Sequence, residues 1–194
     1  MRVAIVLVLL FLAAPTNAEP RTASTSSTPD FYLAPYVRGF APLHGVQDVG
    51  SGWAVGAMAG YWSRRLRVGY AMDFGEGACA ACPSDSSSWT TFTFGGDVSF
   101  DMLRMGSWSL VGSARPRVML AGTPRESGPV PPPHWLFEPQ VALAVWQDFT
   151  SERLRQRAMR TAWFVELQAE EWLHGHDSSP AFGLALGLAF GGCC

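Results

Sequence analysis

Two short clusters in this sequence carry side chains that could do chemistry. Cys79-Ala-Ala-Cys82 has the spacing of a redox dithiol or of half a zinc site. A redox centre usually draws its low thiol pKa from a helix N-terminus, and no helical pattern adjoins Cys79. A structural zinc ion needs four ligands, and no second pair completes the set. In an oxidising compartment the remaining reading is a small loop-closing disulfide between Cys79 and Cys82. The second cluster is His174-Gly-His176-Asp177, followed by Ser178 and Ser179. Its residue types suit a divalent metal or a Ser/His/Asp hydrolase. Neighbours in one polar loop lack a rigid support, however, and no Gly-x-Ser-x-Gly elbow occurs. The cluster reads as a solvated loop. No catalytic residue, metal ligand or cofactor is assigned.

Two further features are chemically distinctive. Pro129-Val-Pro-Pro-Pro133 stiffens one connection into polyproline geometry, as a spacer or a recognition segment. Arg153, Arg155, Arg157 and Arg160 form a basic run that suits an anionic contact or a solvated turn. The other charges are spread singly through apolar segments: Arg67, Asp73, Asp97, Asp101, Arg115, Arg117, Glu138, Glu166 and Glu170. Their mixed sign allows them to neutralise one another if the fold turns them to one side.

The elements that would position them are strands. Phe182-Gly-Leu-Ala-Leu-Gly-Leu-Ala-Phe190 is the clearest. Successive strand side chains point to opposite faces. Phe182, Leu184, Leu186, Leu188 and Phe190 therefore form one apolar ridge, and Gly183, Ala185, Gly187 and Ala189 leave the other face nearly bare. That face suits a crowded, narrow interior; the ridge must meet something wholly apolar. Phe92, Phe94, Val98 and Phe100 likewise oppose Thr91, Thr93, Asp97 and Ser99. Similar alternation runs through 66–74, 108–120, 137–145 and 163–170, and more weakly through 31–40 and 53–62. The pattern predicts an all-β, antiparallel up-and-down transmembrane barrel of about eight strands. The polar set is expected inside, because the apolar set carries almost no charge that could keep it in water. An interior of eight strands is just filled by side chains, so a salt-bridged plug is expected and a pore is not.

Composition and address agree. Arg2, the apolar run Val3 to Ala14 and Pro15-Thr-Asn-Ala18 read as an export leader over 1–18, cut after Ala18. That run is shorter than the roughly 20 residues of a spanning helix. Residues 19–30 are a Ser/Thr/Pro linker, and 31–194 form the barrel. The chain has 14 basic residues, Arg2 among them, so 13 remain against 16 acidic ones. This weak acidity argues against nucleic acid as a partner. With the first strand rising from the chain-terminal side, long connections fall at 41–51, 75–88, 122–134 and 173–180, and short ones near 63–65 and 103–107. The exception is 150–160, a turn of helix or a strand extension. The 8 Trp fall near strand ends and predict two interfacial girdles. By strict alternation Trp62, Trp89, Trp146 and Trp172 point inward, so those girdles require bulges at the rims.

The leader, the alternating strands, the loop asymmetry and the aromatic-ended last strand together resemble the small eight-stranded outer-membrane barrels, the OmpA-like and OmpX-like transmembrane domains. The resemblance spans Phe31 to Phe190 and implies outer-membrane localisation, outer-membrane lipid as partner, a monomer, and a possible extracellular ligand at the outer loops. In those families an aromatic residue usually ends the protein and assists assembly. Here Phe190 is followed by Gly-Gly-Cys193-Cys194, a departure. The expected role is structural or surface-binding and non-enzymatic. The alternatives are a lipid-modifying barrel enzyme, of the lipid A deacylase or acyltransferase kind, and a secreted soluble barrel holding a ligand.

Overall fold

Eight strands follow one another along the chain: β1 (Asp30–Pro42), β2 (Val49–Ser63), β3 (Leu66–Cys79), β4 (Ser88–Met105), β5 (Trp108–Gly122), β6 (His134–Asp148), β7 (Met159–His174) and β8 (Asp177–Gly192). The computed structural model describes residues 30–43, 49–63, 65–79, 88–122, 134–151, 153–154 and 159–192. The leader and the linker lie outside this set, except Asp30, which opens β1. Each strand pairs antiparallel with its sequence neighbour. β1 closes the sheet on β8 through pairs such as Leu33 with Phe190 and Val37 with Leu186. A closed sheet has no exposed edge, so all eight backbones find partners around the ring.

The strands run 13 to 18 residues, against the roughly 9–11 needed to cross a bilayer core. The surplus forms the rims. Tight turns join β4 to β5 at Gly106-Ser107 and β7 to β8 at Gly175-His176. Gly106 and Gly175 take φ of 60° and 59°, a region other residues rarely adopt. The second turn corrects the long loop expected over 173–180. Asp177, Ser178 and Ser179 are strand residues that pair with His174, Leu173 and Trp172. Over 150–160, Leu154 N donates to Ser151 O at 3.0 Å, a helical turn at residues 153–154.

Prolines interrupt the ladders without shifting them. Pairing on β1–β8 skips the step at Pro35, on β4–β5 the step at Pro116, and on β6–β7 the step at Pro139. Proline has no N–H to donate. Register slips only between Val49 and Gly52 and between Asp101 and Leu103 among the described pairs. The inside is crowded: a Cβ added at Gly187 would sit 2.3 Å from the Phe164 ring. Gly183 is crowded in the same way by Gln168, so both positions of β8 require glycine.

Candidate functional site

The site worth describing is the barrel's interior, and its plan can be read along β7. From the chain-terminal end, the inward residues are Phe164, Glu166, Gln168, Glu170 and Trp172, all buried. An aromatic residue stands at each end and charge in the middle. β1 and β6 follow a similar order, with Arg38 and Glu138 between apolar ends, while β2 and β8 turn mainly glycine and alanine inward. One apolar layer, near the termini, gathers Tyr32, Met58, Val111, Trp146 and Phe164. The opposite layer holds Phe40, Trp89, Met119, Leu136 and Trp172. Between them lies a charged waist.

In the waist Arg38 is the hub of one cluster. Its Nη1 lies 2.6 Å from Glu170 Oε1 and 3.3 Å from Glu138 Oε1. Its Nε is 3.2 Å from Asp73 Oδ2, an ion-pair contact that is not aligned as a hydrogen bond. Arg117 bonds the same Asp73 carboxylate, and Tyr36 donates to it at 2.8 Å. Trp172 Nε1 donates to Glu170 Oε2 at 3.1 Å.

Arg115 centres a second cluster. Its Nε donates to Asp97 Oδ1 at 2.5 Å, and its two terminal nitrogens clamp both oxygens of Glu166. Such a bidentate fork is the strongest way to hold a carboxylate. Tyr32 and Ser99 each donate to Asp97 Oδ2 at 3.0 Å. Gln140 joins the clusters: its Oε1 accepts from Arg115 at 2.8 Å and its Nε2 donates to Glu170 at 2.6 Å.

A third station lies nearer the termini. Arg67 Nη2 pairs with Asp101 Oδ1 at 2.6 Å. Its guanidinium carbon lies 4.3 Å from the Trp62 ring centre and 4.0 Å from that of Trp146. Phe164 stacks on Trp146 at 4.7 Å. The described lumen thus holds four arginines and six carboxylic acids. The acids outnumber the arginines, and neutral donors from Tyr32, Tyr36, Ser99, Gln140, Gln168 and Trp172 supply further bonds to them. A buried charge left unpaired is costly, and each of these ten groups has an opposite charge in ion-pair contact.

The outward face is the inverse. Phe92, Phe94, Val98 and Phe100 on β4 are exposed, as are Phe182, Leu184, Leu186, Leu188 and Phe190 on β8. Along β6 the outward residues run from Trp135 through Phe137, Val141, Leu143 and Val145. The charged residues Glu76 and Glu171 on this face sit toward the rim away from the termini.

Arg67, Asp73, Asp97, Asp101, Arg115, Arg117, Glu138, Glu166 and Glu170 are all brought inside. Sequence reasoning missed Arg38, the hub. Its signal is the alternation of Tyr32, Tyr36, Arg38 and Phe40 in β1, masked because these inward aromatics read as apolar as the outward Phe31, Leu33 and Val37. The two tryptophan girdles need correcting. Trp53, Trp108 and Trp135 are exposed outward, but Trp89, Trp146 and Trp172 are buried and Trp62 packs on the inner cluster. Neither register slip carries any of these four, so strict alternation holds and they fill the lumen ends. His174 Nδ1 lies 2.8 Å from Trp135 O on the rim. Ser178 is exposed and Ser179 buried on the opposite face, so the two hydroxyls do not converge. Cys79 ends β3; Cys82, Pro129–Pro133, Arg155, Arg157, Cys193 and Cys194 lie outside the described residues. Among the described residues no three metal-ligating side chains gather.

No family model matches the sequence, and no curated protein sequence does. Solved structures do. Neisserial surface protein A superposes with a TM-score of 0.58 at 15% identity, over 84% of this chain and 96% of that one. The fold is that of the small eight-stranded outer-membrane barrels. The N-terminal barrel domain of Pseudomonas aeruginosa OprF also aligns, with a TM-score of 0.49 at 11% identity, over 84% of this chain and 99% of that one. P. aeruginosa OprG follows at 0.44 and 8%, over 86% and 96%.

Proposed function

We propose that this chain is a monomeric integral outer-membrane barrel with a structural or surface-binding role and no open pore. The observation that carries the membrane reading is the outward face. Soluble proteins rarely expose a contiguous apolar patch beyond a few hundred Å², and here all eight strands present one, with the waist charges turned in. Only lipid is a good solvent for such a belt. Three stacked interior layers support the absence of a pore. The rim opposite the termini, with the longer connections, faces the outside and offers any surface-binding loops. An export leader over 1–18 and a Cys79–Cys82 disulfide belong to the same reading, since both imply export to an oxidising space.

The test is direct. The mature chain should fold into phospholipid vesicles, migrate in a heat-modifiable way, and give no steady conductance in planar bilayers. Migration as an ordinary soluble protein without detergent would refute the membrane reading. Steady, porin-sized current would refute the plug. A changed acyl pattern in lipid A from expressing cells would replace the structural role by an enzymatic one.

A further inference from the structure

Among the described residues the two rims carry opposite net charge. Among the described residues of the chain-terminal rim, Arg65, Arg104, Arg153 and Arg160 are exposed. The acids described there are Asp30, Asp148 and the buried Asp101, which pairs with Arg67. The opposite rim shows Glu76, Glu171 and Asp177 and no arginine among its described residues. The barrel is therefore polarised along its axis.

We propose that the arginine rim is a docking surface for anionic phospholipid headgroups in the leaflet at the chain-terminal end. This rests on the membrane reading above. Three observations favour lipid over a soluble acidic partner. First, the arginines are interleaved with exposed apolar side chains. Arg104 lies between Leu103 and Met105, Arg65 precedes Leu66, and Arg160 follows Met159; all four of these neighbours are exposed. Strand neighbours share a depth while pointing to opposite faces, so Arg104 and Arg160 stand at the mouth of the barrel, level with side chains that belong in hydrocarbon and therefore at headgroup depth. Second, the indoles of Trp108 and Trp163 meet edge to face at 5.5 Å on this rim, marking the interface where such rings settle. Third, the chain uses arginine and no lysine, and the guanidinium fork binds phosphate oxygens in pairs. Arg160 also reaches over the Trp62 ring at 5.6 Å, beside a cavity of about 20 Å³ lined in part by Thr161 and Asp148. That space is water-sized and too small for a headgroup, so docking is on the rim and not in a pocket.

The experiment uses the full mature chain folded into vesicles of equal phosphatidylcholine and phosphatidylglycerol. Native mass spectrometry then counts the lipids retained on the released barrel. One arginine near an anionic surface gives about a fivefold preference per engaged lipid. Retained phosphatidylglycerol should exceed phosphatidylcholine by about that factor. It should fall to parity in the combined variant Arg65→Gln, Arg104→Gln, Arg153→Gln, Arg160→Gln, and stay unchanged in Glu76→Gln, Glu171→Gln. Parity in the heat-modifiable wild-type barrel would overturn the proposal and leave the rim to an acidic soluble partner. Enrichment that survives the arginine variant would also overturn it. A chain that never becomes heat-modifiable in any vesicle would sink the membrane reading itself, a different result from parity.

Discussion

Arg38 and Arg67 are both buried inside the same barrel, yet they are held by different means. Arg38 sits in the waist among Asp73, Glu138 and Glu170, so its charge is met by charge. Arg67 has one carboxylate, Asp101, and is otherwise sandwiched between Trp62 and Trp146. The difference follows depth. The waist is sealed by an apolar layer on each side, so a charge there needs full ionic compensation. Nearer the rim, two aromatic faces and one acid suffice. The interior is graded, with ionic contacts where water is furthest and aromatic contacts toward the mouth.

The strongest way to break this comparison is Arg38→Ala. It takes one cationic partner from three acids at once, and removing one partner of a buried ionic group costs about 3–5 kcal/mol. A urea titration of the folded barrel in vesicles reads the loss. A change below about 1 kcal/mol, the range of exposed ion pairs, would mean that the waist is wet.

A third setting for arginine sharpens the contrast. Phe94→Arg places a guanidinium on the outward belt, with neither acids nor indoles inside to meet it. The expected cost in a bilayer is about 2–4 kcal/mol, falling toward zero near the interfaces. A neutral result at position 94 would place that face in water.

Arg67→Lys should cost less, about 1–2 kcal/mol, because the charge and the Asp101 contact persist while the planar stack between two indoles is lost. The same change at position 38 should cost more than at 67 if ionic geometry dominates there. Smallest of all, Trp62→Leu should cost about 0.5–1 kcal/mol by removing one of the two ring faces. If Trp62→Leu and Arg67→Lys together cost no more than either alone, the two residues act as one unit.

Much of this was legible in the sequence, and the gaps have physical reasons. β8 declares itself because large apolar and small residues alternate without a break from Phe182 to Phe190, and β4 because the same alternation is interrupted only at Gly96 between Phe92 and Phe100. That same alternation turns Asp97 and Ser99 away from Phe94, Val98 and Phe100. β1 was harder. Tyr32, Tyr36 and Phe40 make its inward face look like its outward one, and Arg38 stays hidden among them. The tryptophans misled for a different reason. Indole favours the interface, but a closed barrel fixes its register, and slipping one residue would flip a whole strand. Trp89, Trp146 and Trp172 therefore stay inside, where their volume fills the lumen ends. The run His174 to Ser179 reads as loop because it is polar. It is instead a hairpin tip at the rim, where outward strand residues have no need to be apolar. The span 150–160 allowed two conformations on sequence alone, since its arginines carry no periodic apolar signal.

The central claim is that the apolar face of every strand meets lipid while the charges are enclosed. Nitroxide labels test it most directly. They would be placed singly at Val98, Leu143 and Leu186, exposed at 47%, 44% and 49% on three separate strands, in a background lacking the four native cysteines. In folded barrels in vesicles, the account predicts that dissolved oxygen collides with all three labels far more often than a water-soluble nickel chelate does. Chelate collisions equal to or above those of oxygen at these sites, in a barrel that is still heat-modifiable, would contradict it.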